Sequence, residues 1–452
     1  MAKITPLSGF PEWLPADRLV EQHVIDVFRE VAELHGFANI ETRAVEPMNQ
    51  LLRKGEIDKE VYVVSRLHAE DGEDAPAADG EDRRLGLHFD LTVPLARYVL
   101  ENQGRLEFPF RRYQVQKVWR GERPQDGRFR EFYQADLDII GQNALPAHMD
   151  ADVAIVMADI LRRLPLPGGF RMAVNNRKLS EAVFTALGLT DTPAVLRELD
   201  KIAKIGPEEV RRQLMEKAGA TGEQADGCLA FAQIRAGADD LADRIAALGL
   251  SSDDIDAAVE ELAYVIRTVD ASAPGVCEAD LSIARGLDYY TGTVVETFVE
   301  DHEDLGSICS GGRYDTLAAD RRFTYPGVGL SIGLSRLVSR LVTRQAAVPT
   351  RSVPTAVLVI VESEQERLRS TEIARELRER GIAAEVSPTS AKFGKQIRYA
   401  DRRGIPFVWF PSEDGGTTGD VKDIRSGEQV QADARTWEIP AEDARVRITT
   451  AE

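Results

Sequence analysis

The chain has 452 residues, which exceeds one ordinary compact domain and predicts two or three. Its composition, with 43% hydrophobic and 29% charged residues, is typical of globular proteins and excludes wholesale disorder. The net charge of −19 discourages non-specific adhesion to nucleic acid, so a polyanionic partner is expected to meet a local basic patch.

The chain also lacks the marks of membrane or secreted proteins. Its longest apolar runs are of strand length, and its first ten residues do not resemble a secretory signal. Three widely separated cysteines argue against a disulfide framework and against paired-cysteine zinc sites. These features predict a cytoplasmic protein without a membrane partner.

The first part of the chain predicts more strands than crossover helices. Apolar residues at three-and-four spacing predict a helix over residues 17–35, and a second helical pattern covers 150–164. Segments rich in β-branched residues predict strands at 61–67, 85–89, 112–119, 129–140 and 170–174. Because strands outnumber crossover helices, an antiparallel sheet is the more natural arrangement.

Composition changes twice further along the chain. Residues 192–269 are rich in Ala, Leu, Glu and Arg and predict a helical insertion, after which strand patterns resume at 279–299, 307–317 and 327–331. Polar residues 343–354 predict a linker between a domain of residues 1–342 and one of residues 355–452. The last domain alternates strands with helices at 363–380 and 391–403, which indicates a separate α/β unit.

The densest chemical signal lies between residues 105 and 141. Within 105–130, eight bases face three acids, a local charge of +5 in an acidic chain. Arg120 and Arg128 are expected near the two stems of a turn-rich loop, where guanidinium groups could bind phosphate in bidentate fashion. The alternative is a solvated strand-loop-strand with surface arginines.

Two further clusters combine glycines with polar or aromatic residues. Residues 284–293 read ARGLDYYTGT, and in a strand Tyr289 and Tyr290 would point to opposite faces. Residues 310–315 (SGGRYD) and 327–337 (GVGLSIGLSRL) contain glycines that permit close backbone approach, with Arg336 opening a helix. Tyrosine packing and glycine packing are the structural alternatives for these clusters.

Familiar nucleotide-binding loops and metal motifs are missing. The sequence contains neither GxxxxGK[ST] nor GxGxxG, and its six histidines form no HExxH motif or metal pair. Any bound phosphates are therefore expected to be held by arginines.

Taken together, these motifs resemble those of class II aminoacyl-tRNA synthetases, and in particular the histidyl-tRNA synthetase family. The segments RGERP and GRFREFYQ (residues 120–124 and 127–134) resemble the second motif of that class, and GLSIGLSRL (329–337) resembles the third. ARGLDYYTGTV is similar to the histidine-binding signature of the family, and SGGRYD resembles its companion signature.

The resemblance implies an α+β fold, with an antiparallel-sheet catalytic domain that carries the helical insertion and a C-terminal α/β anticodon-binding domain. It implies ligation of L-histidine to tRNA(His) through a histidyl-adenylate, with ATP as substrate, Mg²⁺ as cofactor and a homodimeric assembly. The family's pattern has two variants at the strand end FDLTVP, so that Asp90 replaces a glutamate found in other members.

The resemblance also assigns roles to individual residues. Arg120 would contact the α-phosphate and the amino-acid carboxylate, Arg128 the β- and γ-phosphates, and Arg336 the far end of the triphosphate. Arg285 would stabilise charge at the α-phosphate, and Phe129 would stack on adenine. The implied histidine pocket consists of Asp90, Thr92, Arg120, Gln134, Asp138, Arg285, Tyr289 and Tyr290. Gln134 and Asp138 are four residues apart, so a regular strand presents them on one face.

Contacts with tRNA are expected at two places. Arg123 and Gln125, at the tip of the second-motif loop, would approach the acceptor end. Five bases and one acid lie within 391–404, where Lys392, Lys395 and Arg398 would follow phosphates, although a solvated helix face is the alternative.

Two other functions are compatible with parts of the sequence. A catalytically silent paralogue, such as the regulatory subunit of ATP phosphoribosyltransferase, would share the fold, but such proteins usually lack the C-terminal domain and lose the phosphate-binding arginines. The basic segment alone would permit a nucleic-acid-binding module without activity. Histidine-dependent exchange of pyrophosphate into ATP discriminates between the three.

Overall fold

The computed structural model describes residues 5–52, 60–67, 84–125, 127–284, 289–300, 302–316, 318–413 and 415–450. The chain divides into two compact units, one of Met1–Pro11 and Val24–Arg340 and the other of Glu12–His23 and Leu341–Glu452. None of the helices in the described ranges is long and apolar enough to cross a membrane.

The described residues form the following helices and strands, each numbered in chain order. The helices are α1 (Pro15–Leu34), α2 (Met48–Leu51), α3 (Thr92–Asn102), α4 (His148–Arg163), α5 (Arg177–Ala186), α6 (Thr192–Leu199), α7 (Ile202–Ile205), α8 (Pro207–Lys217), α9 (Gly222–Ala232), α10 (Leu241–Ala246), α11 (Asp253–Ser272), α12 (Leu334–Thr343), α13 (Arg367–Glu379) and α14 (Phe393–Arg402). The strands are β1 (Ala38–Asn39), β2 (Val45–Pro47), β3 (Val63–Val64), β4 (Leu85–Leu87), β5 (Phe110–Trp119), β6 (Glu131–Ile140), β7 (Phe170–Asn176), β8 (Arg235–Ala236), β9 (Cys277–Asp280), β10 (Thr293–Val299), β11 (Cys309–Tyr314), β12 (Gly327–Gly333), β13 (Ala347–Pro349), β14 (Val357–Val359), β15 (Ala384–Val386), β16 (Phe407–Pro411), β17 (Thr418–Asp423), β18 (Gln429–Asp433) and β19 (Ile448–Thr450).

A large mixed sheet dominates the first unit. Within the described ranges it has nine strands in the order β1, β5, β6, β12, β11, β10, β7, β9, β8. Its pairs are antiparallel except for β1 with β5 and β7 with β9, which confirms the predicted predominance of antiparallel pairing. The long strands β5 and β6 lie beside β12 and β11, so the three sequence segments 105–141, 310–315 and 327–337 share one part of the sheet.

The helical insertion is confirmed, since α6 to α11 and the short strand β8 occupy the predicted segment. Three of its helices, α6, α9 and α11, begin at residues whose side chains cap the first turn. Thr221 and Gln224 form a reciprocal capping box at α9, and the side chain of Ser252 accepts a hydrogen bond from the backbone N–H of Ile255 at α11. The buried side of α11 then packs against α4 and α5.

The second unit contains a five-stranded sheet in the order β15, β14, β16, β17, β18, parallel at β15, β14 and β16 and antiparallel beyond. Alternate residues of β14 face opposite cores. Val357 and Val359 pack with Ile373 of α13, whereas Leu358 packs with Ala400 of α14. The two helices therefore cover opposite faces of the sheet, which confirms the predicted α/β unit.

The segment predicted to be a linker is partly ordered into a strand. Within 343–354, β13 pairs antiparallel with β19 near the end of the chain, with Val348 opposite Thr449. Composition indicated a linker because the segment is polar and contains prolines, but backbone pairing depends on a distant partner and leaves little trace in local composition.

Candidate active site

Strands β5 and β6 hold the largest group of candidate side chains. Their register places three polar pairs on one face of the sheet: Arg112 with Asp138, Gln114 with Asp136, and Gln116 with Gln134. The prediction that Gln134 and Asp138 share a face is therefore confirmed. Asp136 lies between them on the same face, although it was not among the predicted residues.

A cavity of about 120 Å³ opens over this face. Seven residues of the implied histidine pocket line it: Asp90, Thr92, Arg120, Gln134, Asp138, Tyr289 and Tyr290. Four polar residues that were not predicted also line it, namely Asp136, Ser310, Tyr314 and Ser331. The eighth predicted residue, Arg285, lies outside the described residues.

The expectation that Tyr289 and Tyr290 point to opposite faces of a strand is wrong. Both side chains line the same cavity, with ring centroids 4.2 Å apart, because strand β10 begins only at Thr293. Burial, followed by the neighbouring Tyr289, raises the pKa of Tyr290 well above its usual value. The Tyr290 hydroxyl therefore remains protonated at neutral pH and can both donate and accept a hydrogen bond.

Glycines of β12 allow two side chains to meet in the wall of the cavity. The Tyr314 hydroxyl donates a hydrogen bond to Oδ1 of Asp138 at 2.6 Å. A Cβ on Gly329 would lie 2.0 Å from that same oxygen, and one on Gly327 would lie 2.4 Å from the Tyr314 ring. The interpretation that these glycines permit close approach is confirmed, and the approaching groups are polar site residues.

Arg120 is held in place from three sides. Its Nε donates to the backbone oxygen of Phe89 at 3.0 Å, and its Nη2 donates to Oε1 of Gln134 at 3.4 Å. The guanidinium carbon also lies 5.2 Å from the centroid of the Phe132 ring. These contacts fix a cationic group at the rim of the cavity.

A second cavity, of about 340 Å³, adjoins the first. Arg120, Arg128, Phe129 and Arg336 line it, and they are the predicted ATP-binding residues. The two cavities share four residues, Arg120, Gln134, Ser310 and Ser331. A ligand in one cavity would therefore lie next to a ligand in the other.

Arg336 reaches the second cavity from the first turn of α12, which begins at Leu334, two residues earlier than predicted. Its Nη1 donates to the backbone oxygen of Ser307 at 3.0 Å, and its Nη2 donates to that of Leu305. A Cβ on Gly127 would lie 3.2 Å from the Cγ of Arg336. The glycine thus lets the second-motif loop pass close to this side chain.

Arg313, within the SGGRYD segment, acts as a structural anchor. Its buried guanidinium contacts both carboxylate oxygens of Asp150 in α4, the closest at 2.7 Å, and donates to the backbone oxygen of Leu145. Its own carbonyl oxygen accepts a hydrogen bond from the Thr291 N–H at 2.8 Å. This hydrogen bond links the segment that contains Tyr289 and Tyr290 to strand β11.

The local charge of +5 overstated the number of cations available to a ligand. Three of the eight bases pair with acids outside the counted segment: Arg111 with Asp152 at 2.8 Å, Arg112 with Asp138 at 2.6 Å and Lys117 with Glu131 at 2.6 Å. A sequence window cannot count these acids, because they come from the partner strand and from α4.

The predicted tRNA-binding residues are exposed at both places. Arg123 and Gln125 lie at the tip of the β5–β6 hairpin, where the backbone of Gln125 pairs with that of Arg128. In the second unit, Lys392, Lys395 and Arg398 are exposed at the start and along one side of α14.

Sequence comparison identifies two family models within the chain. The model for histidyl-tRNA synthetase matches residues 9–337, and the model for an anticodon binding domain matches residues 355–434. A protein of Micrococcus luteus named Histidine--tRNA ligase is 57% identical, with 100% of each chain covered. One of the same name from Cutibacterium acnes is 54% identical, with 98% of each covered.

Structure comparison gives a concordant result. The crystal structure of histidyl-tRNA synthetase from Nostoc sp. PCC 7120 superposes with a TM-score of 0.84 at 33% sequence identity. The match covers 96% of this chain and 98% of the other.

Proposed function

Because the chain belongs to the histidyl-tRNA synthetase family and ligates histidine to tRNA(His) with ATP as substrate, we propose that the smaller cavity binds histidine and the larger one binds ATP. The observation that carries this assignment is the shared wall of the two cavities, with Arg120 in both. A shared wall brings the amino-acid carboxylate next to the α-phosphate, and this proximity is what adenylate formation requires.

In the smaller cavity, Asp90, Thr92, Gln134, Asp138, Tyr289 and Tyr290 would recognise histidine. The imidazole ring presents one donor and one acceptor when neutral, and the α-ammonium group presents donors alone. Carboxylate and phenol groups suit both, and the hydrogen bond from Tyr314 to Asp138 supports a fixed acceptor at this end of the cavity. Arg120 at the rim would bind the amino-acid carboxylate.

In the larger cavity, guanidinium groups would hold the triphosphate. Arg120 would contact the α-phosphate, Arg128 the β- and γ-phosphates and Arg336 the far end, with Phe129 stacked on adenine. Arg285 would stabilise charge at the α-phosphate as the carboxylate attacks and pyrophosphate leaves. Such catalysis is mainly positioning and electrostatic stabilisation, since nucleotidyl transfer requires little covalent work from the protein.

Mg²⁺ would enter with ATP. In the described ranges, no group of three His, Cys, Asp or Glu side chains could hold a metal ion by itself. Mg²⁺ is commonly held by one or two carboxylates together with substrate phosphates, and Glu122 lines the larger cavity. Glu122 therefore fits a metal ion that is carried by the nucleotide. The bound ion would offset the charge of the phosphates.

We further propose that residues 1–342 form the catalytic domain with its insertion at 192–269, that 343–354 connect it to the anticodon-binding domain of 355–452, and that the protein is a cytoplasmic homodimer. The ranges of the two family matches support this division. Arg123 and Gln125 would approach the acceptor end of tRNA(His), while Lys392, Lys395 and Arg398 would bind phosphates near the anticodon.

Exchange of labelled pyrophosphate into ATP tests the site assignment without tRNA. We expect exchange with histidine and with no other amino acid, and its loss in Arg285→Ala with an unchanged circular dichroism spectrum. Arg322→Ala, which removes an exposed arginine not assigned to either cavity, serves as the matched control and should retain full exchange. Exchange supported equally by several amino acids, or surviving Arg285→Ala, would contradict the assignment.

A further inference from the structure

The guanidinium group of Arg112 lies beside two acids that line the smaller cavity. The side chain of Arg112 has no exposed surface, and its Nη2 lies 2.6 Å from Oδ2 of Asp138 and 3.6 Å from Oδ2 of Asp136. Both acids are also buried and line the cavity, whereas Arg112 is not among the lining residues. One guanidinium therefore balances two carboxylates.

The remaining contacts of this group leave it little freedom. Nη1 of Arg112 donates to Gln114, whose Nε2 in turn donates to Oγ1 of Thr42 at 3.0 Å. On the other side, the Tyr314 hydroxyl donates to Oδ1 of Asp138. Oδ1 of Asp138 thus accepts a hydrogen bond from Tyr314, while Oδ2 lies in an ion pair with Arg112, and the two contacts restrict the orientation of the carboxylate.

The positive charge of Arg112 affects the protonation of the two acids beside it. Burial raises the pKa of Asp136, and Arg112 is the main group that opposes this rise. Two buried carboxylates without a nearby cation would tend to share a proton, as closely spaced acids do. A protonated carboxyl could act as a donor, so the hydrogen-bond pattern offered to a ligand would change.

We propose that Arg112 is a positioning residue for amino-acid selection: it pairs with the Asp138 carboxylate and orients it so that the cavity presents an acceptor to an imidazole N–H. This inference rests on the proposed function of the smaller cavity. Arg112 would act through Asp138 without touching the substrate. A five-membered ring without an N–H, such as that of β-(2-thienyl)alanine, would then fail to give the buried carboxylate the additional donor that imidazole supplies and would be rejected.

The test compares Arg112→Met and Arg112→Lys in the pyrophosphate exchange reaction. Arg112→Met should raise the KM for histidine at least tenfold while the KM for ATP stays within twofold. It should also lower the preference for histidine over β-(2-thienyl)alanine by at least tenfold. Arg112→Lys keeps the charge and should recover part of both losses.

Arg111→Met is the matched control. Arg111 is the preceding residue of the same strand, faces the other side of the sheet and pairs with Asp152 in α4, away from both cavities. We expect this variant to keep the wild-type KM for histidine and the wild-type amino-acid preference. An equal change in Arg111→Met and Arg112→Met would overturn the inference, because it would reveal a general effect of strand stability.

If Arg112→Met does not fold, Arg112→Lys decides alone. A rise in its KM for histidine without a rise in its KM for ATP supports the inference, and a parallel rise in both, or no rise in either, overturns it. Failure of the proposed function is a separate result, since it would appear in the wild-type protein as exchange that does not depend on histidine.

Discussion

At the residue scale, Gly329 is the position where a single methyl group would disturb the site most directly. A Cβ there would lie 2.0 Å from Oδ1 of Asp138, well inside contact distance. We expect Gly329→Ala to displace the carboxylate, to raise the KM for histidine at least tenfold and to cost about 1–3 kcal/mol of unfolding free energy. Exchange kinetics and denaturant unfolding measure the two effects.

Gly237→Ala provides the control for this substitution. Nothing lies within 4 Å of a Cβ built at Gly237, and the residue belongs to the insertion. Its KM for histidine should match that of the wild type. If Gly329→Ala also bound histidine normally, the close approach of β12 to Asp138 would have no role in the site.

The three cysteines are expected to be inert in the folded protein. Cys228, Cys277 and Cys309 are all free and buried, and burial raises the pKa of each thiol, that of Cys228 to about 12. Because the thiolate is the reactive form, Ellman's reagent at pH 8 should detect no thiol in the native protein and three after unfolding. One thiol reacting at the rate of free cysteine in the native state would contradict this expectation.

Sequence patterns predicted part of the site at this scale, for identifiable reasons. The spacing of Gln134 and Asp138 determined their common face once a strand was assumed, and β6 is that strand. Arg112 and Tyr314 could not be assigned in this way, since their importance comes from partners on β6 rather than from their own neighbours in sequence. The alternation of Arg112, Gln114 and Gln116 along β5 was a signal that could have indicated a second polar row.

At the scale of elements, the pair of Arg313 and Asp150 joins β11 to α4. Both side chains are nearly fully buried, so removing one leaves a buried charge uncompensated. We expect Asp150→Ala to destabilise the fold by about 3–5 kcal/mol, as measured by denaturant unfolding. The double variant Asp150→Ala/Arg313→Met, which removes both charges, should recover part of this loss.

The exposed pair of Lys178 and Glu261 is the natural comparison for the buried one. Its lysine side chain is 53% exposed, and a pair of this kind is expected to contribute less than about 1 kcal/mol. Glu261→Ala should therefore unfold close to the wild type. Equal losses in Glu261→Ala and Asp150→Ala would show that burial does not set the strength of the buried pair.

Elements with a strong apolar period were the ones that the sequence predicted. Helices α1, α4 and α13 lie where helical periodicity indicated them, and strands β5, β6 and β7 lie where strand-like composition did. Strands β18 and β19 were not predicted, because β18 is mostly polar and largely exposed and β19 has only three residues. The place of β18 in the sheet follows from backbone pairing with β17, which local sequence does not encode.

The basic side of α14 is predicted to bind tRNA, and a triple substitution tests this prediction. Replacing Lys392, Lys395 and Arg398 together with alanine removes three exposed cations without touching the buried side of the helix, where Gln396 and Ala400 lie. We expect the KM for tRNA(His) in aminoacylation to rise at least tenfold and pyrophosphate exchange to stay unchanged.

Arg375→Ala in α13 controls for the loss of an exposed arginine in the same unit. Arg375 pairs with Glu376 at 2.9 Å, so its charge is already balanced by a neighbour. Its removal should leave the KM for tRNA(His) within twofold of the wild type. If the triple variant charges tRNA as efficiently as Arg375→Ala does, the basic side of α14 does not contact tRNA.

At the scale of the whole molecule, an acidic chain must engage two polyanions, tRNA and ATP, through local clusters. The net charge of −19 repels nucleic acid at long range, so binding depends on short-range contacts with exposed bases at a few places. ATP is instead proposed to meet arginines that line a cavity and contact the surrounding protein, as Arg120 and Arg336 do. Salt is expected to affect these two kinds of contact differently, since enclosed charges are screened less.

This difference predicts unequal salt responses for the two half-reactions. Each phosphate contact contributes about 0.7–0.9 to the slope of the logarithm of affinity against the logarithm of salt concentration. Between about 50 and 200 mM salt, the KM for tRNA(His) should therefore rise steeply, whereas the KM values for histidine and ATP in exchange should change less than threefold. In the triple variant of α14 the slope for tRNA should fall by about 2–3, one contact for each base removed. An unchanged slope in that variant would mean that α14 binds no phosphate, and equal salt responses in both half-reactions would mean that the arginines of the cavity are as open to solvent as the surface bases.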